Sequence, residues 1–254
     1  GLGLMVLIFD DLIQGQSPNR RLKLALLGLL ISIILQFGLV VVLAVAFAYT
    51  AWSWKETKRV EWQPFVWLGM AGGPYLLYQY WAILADPVLA GWNAQNQTPS
   101  PPAWDFLLSF SPALPLAAWG ALKLAGMTGN RARRLLTSWL ILGPLLISVP
   151  FPLQRRFILG YYIPVAILAV FGLADLVRRF PAWKKRLPRI MLVLAVPTNI
   201  LIILIGMAGA LSHAPVLYLT RDEANALTWI ETQTAKDAVV LASPEMGLLI
   251  PAFT

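Results

Sequence analysis

The sequence has no cysteine and a single histidine, and only 13% of its 254 residues are charged. Without cysteine the chain can form neither a disulfide nor a thiolate metal site. It also contains no Gly-rich phosphate loop, no His/Cys metal cluster and no Gly-x-Ser-x-Gly nucleophile motif. These absences argue against thiolate or His/Cys metal sites, nucleotide binding by a phosphate loop, and hydrolysis by a serine nucleophile of this type.

Long apolar runs are what the sequence has instead. Hydrophobic residues make up 58% of the chain and the mean hydropathy is +0.68, with 11 Trp and 19 Pro. Several runs reach the roughly 20 residues that a membrane helix needs, and Trp favours the membrane interface. We therefore predict an all-α multi-span membrane helix bundle with about six to seven spans. The predicted spans are Leu24–Tyr49, Phe65–Ala85, Phe106–Leu122, Leu135–Val149, Phe157–Leu176 and Ile190–Leu211, with Leu2–Phe9 as the end of an earlier span or an interfacial piece.

The charges between the apolar runs predict an orientation. Lys123–Arg134 and Arg178–Arg189 carry four and six cations and no acid, whereas Asp86–Asp105 carries no Lys or Arg. Because cytoplasmic loops are enriched in Lys and Arg, we expect the two basic loops to face the cytoplasm. Asp86–Asp105 and the chain after residue 213 are then extracytoplasmic, and the protein is expected in the inner (plasma) membrane.

The basic residues near the N-terminus fit this orientation less well. Arg20, Arg21 and Lys23 fall on the outer side, where Asp10 and Asp11 only partly offset their charge. A re-entrant first segment is the alternative that would return them to the cytoplasmic side.

Two domains are predicted. Residues 1–213 form the transmembrane helical domain, and residues 214–254 begin a small extracytoplasmic α/β domain. Thr220 and Glu223 have the spacing of a capping box at the start of a helix. Further along, Ala238–Ala242 has the pattern of a short buried strand.

The predicted outer loop, residues 91–102, is dense in neutral amides. Asn93, Gln95 and Asn96 can each donate and accept hydrogen bonds, and Trp92 offers a flat apolar face. This mixture suits the hydroxyl groups and ring faces of a sugar, so these four residues are assigned to a sugar or acceptor region. The alternative is a Pro-rich loop whose amides meet water and whose tryptophan marks the interface.

A pair of charges, Arg155 and Arg156, lies in a short break between two apolar runs on the predicted outer face. A guanidinium group forms paired, charge-assisted hydrogen bonds with phosphate oxygens. With the adjacent Gln154, the two arginines are therefore candidates for binding a donor phosphate. The alternative is that they extend towards lipid headgroups or pair with an acid elsewhere.

Four acids are weak candidates for catalysis. Asp86 and Asp105 flank the outer loop, where either can serve as a general base or bind a metal, although acids at helix N-termini are common as caps. Asp10 and Asp11 form an acidic pair at a predicted outer surface. No residue is assigned to a metal, and a divalent metal stays open as a cofactor.

In several segments the chain resembles bacterial multi-span glycosyltransferases of type C (GT-C), which use polyprenyl-phosphate sugars and are related to the protein mannosyltransferase and aminoarabinose transferase groups. The similar segments are Trp92–Pro102, Leu153–Phe157 with Gly160 and Pro164, and Glu223–Trp229 with Ala238–Ala242.

This resemblance implies a membrane enzyme whose active site faces away from the cytoplasm. In that family the catalytic acid lies in the first outer loop, which would place it before Gly1, in a fragment that lacks the N-terminal part. An outer-rim arginine that binds the donor phosphate is the role that Arg155 or Arg156 would inherit.

The predicted function is inverting transfer of a sugar from a polyprenyl-phosphate donor to a glycan, lipid or protein acceptor outside the cytoplasm. The alternative is a non-catalytic membrane protein, either a lipid-linked-sugar carrier or an assembly subunit. Ion pumps and proton-coupled carriers are disfavoured, because no charged side chain lies at mid-depth in a predicted span. Membrane lipid is an expected partner and nucleic acid is not, because the short loops account for the net charge of +8.

Overall fold

The computed structural model of the chain consists of helices and the turns between them, over the residues that it describes. These are residues 1–15, 19–58, 60–124, 126, 130–214, 217–235, 238–247 and 249–253. The chain divides into two compact units, Gly1–Met191 and Leu192–Thr254. The α-helices are α1 (Leu2–Gln14), α2 (Arg20–Ile34), α3 (Gln36–Thr57), α4 (Gln63–Ala85), α5 (Pro87–Gln95), α6 (Ala103–Ser109), α7 (Ala113–Leu124), α8 (Arg131–Ile147), α9 (Tyr162–Arg179), α10 (Arg186–Ala195), α11 (Pro197–Leu211), α12 (Arg221–Gln233), α13 (Pro244–Gly247) and α14 (Ile250–Phe253).

The first predicted span, Leu24–Tyr49, is broken at Leu35. The backbone of Leu35 has φ −153° and ψ 74°, far from helical values, so α2 ends before it and α3 begins after it. A single straight span over this stretch is therefore a wrong prediction.

The helices on either side of the break run in opposite directions. Leu35 lies beside Gly1, at the start of α1, so α2 runs back along α1. The Tyr49 hydroxyl of α3 donates to the Leu12 carbonyl, near the end of α1, at 3.4 Å. The end of α3 therefore returns to the level at which α2 began.

Small residues allow α4 to lie close against α2. A Cβ added to Gly28 of α2 would lie 2.7 Å from the Leu68 carbonyl oxygen of α4, and one added to Gly72 would lie 2.5 Å from the Gly28 carbonyl oxygen. The rings of Phe47 in α3 and Phe65 in α4 have centroids 6.0 Å apart. Earlier in α3, the Leu39 side chain lies beside Gly72, which is later in α4, so these two helices are antiparallel.

Helix α8 contacts helices from both halves of the first unit: α1, α3, α7 and α9. Helices α7 and α9 form a second close pair. A Cβ on Gly120 of α7 would overlap the Leu168 carbonyl of α9. Just before α9, the Tyr161 hydroxyl donates to the Leu140 carbonyl of α8 at 2.9 Å.

These alternating directions place the described cations of residues 1–179 at one or the other of two ends. We call one the cationic end; it holds the starts of α2 and α8 and the ends of α3, α7 and α9. Its described cations are Arg20, Arg21, Lys23, Lys55, Lys58, Lys123, Arg131, Arg133, Arg134, Arg178 and Arg179. Arg20, Arg21 and Lys23 thus join the other basic residues, as the re-entrant alternative expects.

The opposite end, which we call the cavity end, holds the α2–α3 junction, the chain from the second half of α4 to α6, and residues 148–160. Among the residues described there, Arg155 and Arg156 are the cations. The two segments that sequence charge placed on the outer face, residues 86–105 and the arginine pair, therefore lie at the same end.

The prediction of six to seven membrane spans is wrong. Over the described residues, the helix Gln36–Thr57 is long and apolar enough to cross a membrane, and the bent pair Ala103–Ser109 and Ala113–Leu124 adds at most a second span. Helices α2, α8 and α11 contain 15, 17 and 15 residues, fewer than the roughly 20 that a span needs. The bent pair turns by 82°. Core helices of soluble proteins can meet the same criterion.

In the second unit, the predicted capping box is confirmed. The Thr220 hydroxyl accepts from the Glu223 backbone N–H at 3.3 Å, and the Glu223 carboxylate accepts from the Thr220 backbone N–H at 2.7 Å. Helix α12 begins directly after Thr220. Two of the backbone donors that a helix start leaves unpaired are thereby satisfied.

The predicted α/β domain, by contrast, is wrong. Ala238–Ala242 has no regular secondary structure, and Val239 and Leu241 are 98% and 100% exposed. A buried strand needs a neighbouring strand to pair its backbone groups. The described part of the chain contains no strand.

Candidate functional site

A cavity of about 540 Å³ opens at the cavity end, between α3, α4 and the turn before α9. Its volume lies within the range of about 300–1,000 Å³ that is usual for sites of small ligands. Apart from three amide side chains and the Tyr80 hydroxyl, its wall is apolar. The wall is formed by Gln36, Phe37, Val40, Leu76, Leu77, Gln79, Tyr80, Ile83, Leu84, Asn93, Pro150, Phe151, Pro152, Leu153 and Phe157.

The turn at residues 148–160 builds one side of this cavity. Two prolines follow α8, and because proline has no backbone N–H they prevent the helix from continuing. A short 3₁₀ helix, Gln154–Ile158, comes next, and Gly160 turns the chain into α9 with φ 73°. The rings of Phe151 and Phe157 pack on Phe37 of α3, with centroids 6.5 and 5.8 Å from it. These contacts fix the turn against the start of α3.

The predicted outer loop docks on this turn. The Thr98 N–H donates to the Pro152 carbonyl at 2.8 Å, and the Arg155 N–H donates to the Thr98 carbonyl at 3.2 Å. The Ser100 hydroxyl also donates to the Ile147 carbonyl at the end of α8. Two segments that are about fifty residues apart in the sequence, and that carry the predicted sugar and phosphate residues, are thus held together.

Gln154 takes part in this docking. Its side-chain oxygen, Oε1, accepts from the Ser100 N–H at 2.8 Å. This contact leaves its side-chain nitrogen for the predicted phosphate role. Gln154 is therefore, first of all, a residue that positions the loop.

The two arginines of the turn have different surroundings, although both are exposed. The guanidinium carbon of Arg156 lies 5.2 Å from the ring centroid of Phe37, which lines the cavity. Arg155 is anchored through its backbone N–H, and its side chain makes no hydrogen bond or ion pair with any described residue. No acid of the described chain pairs with either guanidinium. Arg156 is therefore the arginine held at the rim of the cavity.

Of the four residues assigned to a sugar or acceptor region, Asn93 lines the cavity. It is carried by α5, which follows α4 directly. Trp92 is 54% exposed, and neither it nor Gln95 nor Asn96 is part of the cavity wall. The loop prediction thus finds one cavity residue and three neighbours.

Two further amides of the wall were not among the predicted site residues. Gln36 is the first residue of α3, and Gln79 lies in the second half of α4. The Gln79 side-chain nitrogen donates to the Tyr75 hydroxyl at 2.7 Å, and within the described chain its side-chain oxygen accepts no hydrogen bond. Their one sequence signal was a polar amide within an apolar run.

The carboxylates of Asp86 and Asp105 make hydrogen bonds to residues of α5 and α6, near whose starts they lie. The Asp86 carboxylate accepts from the N–H groups of Val88 and Leu89 at 2.8 and 3.2 Å, which caps α5. Asp105 lies in the first turn of α6, 3.5 Å from the Ser109 hydroxyl. Neither carboxylate is part of the cavity wall.

Asp10 and Asp11 lie at the cationic end, away from the arginine pair. Asp11 is 2% exposed and accepts hydrogen bonds from Arg20 at 2.6 Å and from Lys23 at 3.3 Å. Asp10 accepts from Gln14 at 2.7 Å. The structure therefore gives Asp11 a role in joining α1 to α2, and it brings neither acid to the cavity.

Over the described residues, no group of three or more His, Cys, Asp or Glu side chains is placed to hold a metal ion. Comparison of the chain with protein-family models, curated proteins and solved structures gives no match. The resemblance to type C glycosyltransferases accordingly stays a prediction from the residues quoted above.

Proposed function

We propose that the chain belongs to an integral membrane glycosyltransferase that binds a polyprenyl-phosphate-linked sugar at the cavity end. One observation carries the proposal: a mainly apolar cavity has an exposed arginine, Arg156, against a ring of its wall. A ligand that suits both features has an apolar body and an anionic group beside it. A lipid-linked sugar phosphate is such a molecule, and it is the donor that the sequence resemblance implies.

In the proposed complex, the guanidinium of Arg156 binds the phosphate oxygens, and the sugar and the first part of the prenyl chain occupy the cavity. Asn93 and Gln36 lie on the wall, where they can meet sugar hydroxyl groups. Arg155, one residue away and exposed, extends towards lipid headgroups.

The transfer itself is a substitution at the anomeric carbon. An acceptor hydroxyl forms the new C–O bond, the bond from the anomeric carbon to the phosphate oxygen breaks, and polyprenyl phosphate leaves with the electron pair. Arg156 would stabilise the negative charge that grows on this leaving group, because a preorganised cation lowers the energy of a transition state that develops charge. The base that takes the acceptor proton is assigned to no described residue.

The surface of α4 supports placing this site beside a bilayer. Leu77, Trp81 and Leu84 are 69%, 63% and 63% exposed, and two of them also border the cavity. Exposed apolar surface of this kind marks contact with a membrane or another protein. A prenyl chain could then enter the cavity from the lipid.

The phosphate contact is tested with the full chain in lipid nanodiscs, by measuring binding of polyprenyl phosphate to Arg156→Ala and Arg155→Ala. Hydrogen bonds to charged groups contribute about 1.5–3 kcal/mol, so Arg156→Ala should weaken binding roughly tenfold or more. Arg155→Ala should have a smaller effect. Arg178→Ala, an exposed arginine at the cationic end, is the matched control. Unchanged affinity in Arg156→Ala would contradict the phosphate assignment.

A non-catalytic carrier of lipid-linked sugar is the second candidate, and one observation favours it. None of the described residues that form the cavity wall is an acid or a histidine, so the wall offers no general base. Incubation of membranes containing the chain with polyprenyl-phosphate hexose separates the two functions. Formation of polyprenyl phosphate supports the enzyme, and binding without turnover supports the carrier.

A further inference from the structure

The polar groups of the cavity wall are uncharged. They are the amides of Gln36, Gln79 and Asn93 and the hydroxyl of Tyr80, and no described residue of the wall is an acid or a base. The nearest cation that the structure holds against the wall is Arg156, through Phe37. The wall itself therefore presents no charge to a sugar, and in the proposed complex Arg156 is paired with the phosphate.

The amides are available to a ligand. Within the described chain, the side chains of Gln36 and Asn93 make no hydrogen bond, and Gln79 uses only its side-chain nitrogen, on Tyr75. An amide can donate and accept, which matches a hydroxyl group that also does both. Three amides on one wall can therefore bind several hydroxyl groups at once.

The aromatic rings of the wall suit the apolar C–H face of a sugar. Phe37, Phe151 and Phe157 form one aromatic cluster, with Phe151 and Phe157 centroids 5.8 Å apart. The C–H face of a neutral hexose is apolar enough to pack on such rings. An ammonium group on the sugar would lose hydration in the cavity, and no described residue of the wall is a carboxylate that could pair with it.

From these contacts we infer that the cavity selects an uncharged, hydroxyl-rich sugar headgroup and discriminates against an amino sugar with a free ammonium group. This inference rests on the proposed function, and it names the substrate class of that same site. It assigns Gln36, Gln79 and Asn93 as residues that determine specificity.

Binding of four ligands to the full chain in nanodiscs tests the inference. They are polyprenyl-phosphate hexose, polyprenyl-phosphate 4-amino-4-deoxyarabinose, the N-formyl derivative of that amino sugar, and polyprenyl phosphate without a sugar. We expect the hexose and the N-formyl derivative to bind at least about tenfold more tightly than the free amino sugar, because burying an ammonium group without a charged partner costs free energy.

The outcomes separate the inference from the function that it rests on. If none of the four ligands binds, the proposed function fails. If the ligands bind but the free amino sugar binds as tightly as its N-formyl derivative, the inference alone fails. Equal binding of the hexose and of polyprenyl phosphate without a sugar also overturns it, because the wall would then not contact the sugar.

Variants of the amides give a second, independent test. Gln36→Ala and Asn93→Ala should each weaken hexose binding about threefold to tenfold, as expected for one hydrogen bond, and should leave polyprenyl phosphate binding unchanged. Gln95→Ala is the control, because Gln95 is an amide of α5, like Asn93, but is not part of the cavity wall. Gln36→Glu should shift the preference towards the free amino sugar. If the preference does not move while the variant keeps its melting temperature, Gln36 does not face the sugar and the assignment is wrong.

Discussion

Glu56 of α3 and Arg134 of α8 form an ion pair at the cationic end, with Arg134 Nη1 2.9 Å from Glu56 Oε2. Arg133 contacts the other oxygen of the same carboxylate. The side chains of Arg133 and Arg134 are only 4% and 3% exposed, and that of Glu56 is 21% exposed. One carboxylate, with a single negative charge, is therefore shared by two adjacent buried guanidinium groups.

Glu56→Gln should strongly destabilise the first unit. The variant keeps the shape of the side chain but leaves two buried cations without this counter-charge, and breaking a buried pair in this way costs about 3–5 kcal/mol. Unfolding of the purified protein in detergent solution measures the loss. Glu61→Gln is the matched control, because its pair with Arg131 is about a third exposed. Exposed pairs contribute about 0–1 kcal/mol, so equal effects of the two variants would contradict the prediction.

Gly72→Ala should destabilise the contact between α2 and α4. The added Cβ would lie 2.5 Å from the Gly28 carbonyl oxygen, so the backbones would have to separate. Overpacking of this kind costs about 1–3 kcal/mol. At Gly69 of the same helix an added Cβ would meet only the Leu43 side chain, at an ordinary contact distance of 3.9 Å, so Gly69→Ala should be neutral or stabilising by up to about 1 kcal/mol. Thermal unfolding of both variants checks this, and a neutral Gly72→Ala would show that the helices are not in close contact.

Asp86→Asn should leave sugar transfer unchanged. Asn is as good a helix cap as Asp, so the contacts with Val88 and Leu89 persist while the negative charge is lost. Asp86→Ala should instead reduce stability by about 1 kcal/mol, because the cap of α5 is removed. Formation of polyprenyl phosphate and thermal unfolding are measured for both variants. Loss of turnover in a stable Asp86→Asn protein would mean that the carboxylate has a catalytic role.

The start of α12 should weaken in acid. Hydrogen bonds from the backbone and side chain of Thr220 lower the pKa of Glu223 below its usual value of 4.5. A group whose pKa is lowered by folding stabilises the fold fully above its unfolded pKa. This stabilisation is lost as the pH falls through the lower, folded value. The NMR shift of the Thr220 amide should titrate with a midpoint below 4.5, and Glu223→Gln should abolish that titration. A midpoint at or above 4.5 would contradict the hydrogen-bonded arrangement.

Charge was the part of the sequence that predicted the arrangement best. The basic loops alternate along the chain with Asp86–Asp105 and the arginine pair, and this alternation placed the last two at the same end. The break at Leu35 could not be predicted in the same way. Leucine is a strong helix former, so the local sequence favours a continuous helix. Packing against α1 and α4 gives α2 and α3 their opposite directions.

The candidate site was predictable only in part, because tertiary structure decides which of its residues come together. The arginine pair stood out because two charges interrupt an apolar stretch. Gln36 and Gln79 gave almost no signal, since an isolated amide in an apolar run is equally suited to joining two helices. Both side chains line the same cavity only because the chain between residues 36 and 157 folds back on itself. Such long-range packing cannot be inferred from the residues next to each glutamine. The strand predicted at Ala238–Ala242 is wrong because a strand requires a partner strand, and the described part of the chain contains none.

The break at Leu35 has an electrostatic consequence for the cavity. In a continuous helix, the backbone N–H and C=O groups around residue 35 would all be hydrogen-bonded within the helix. The break instead places the N-terminus of a 22-residue helix at the cavity wall, with no side chain capping it. Aligned peptide dipoles give such a terminus roughly half a positive charge. The C-terminus of α2 lies at the same break and carries the opposite half charge, so the effect of the α3 terminus is confined to its first turn, where Gln36 and Phe37 line the cavity.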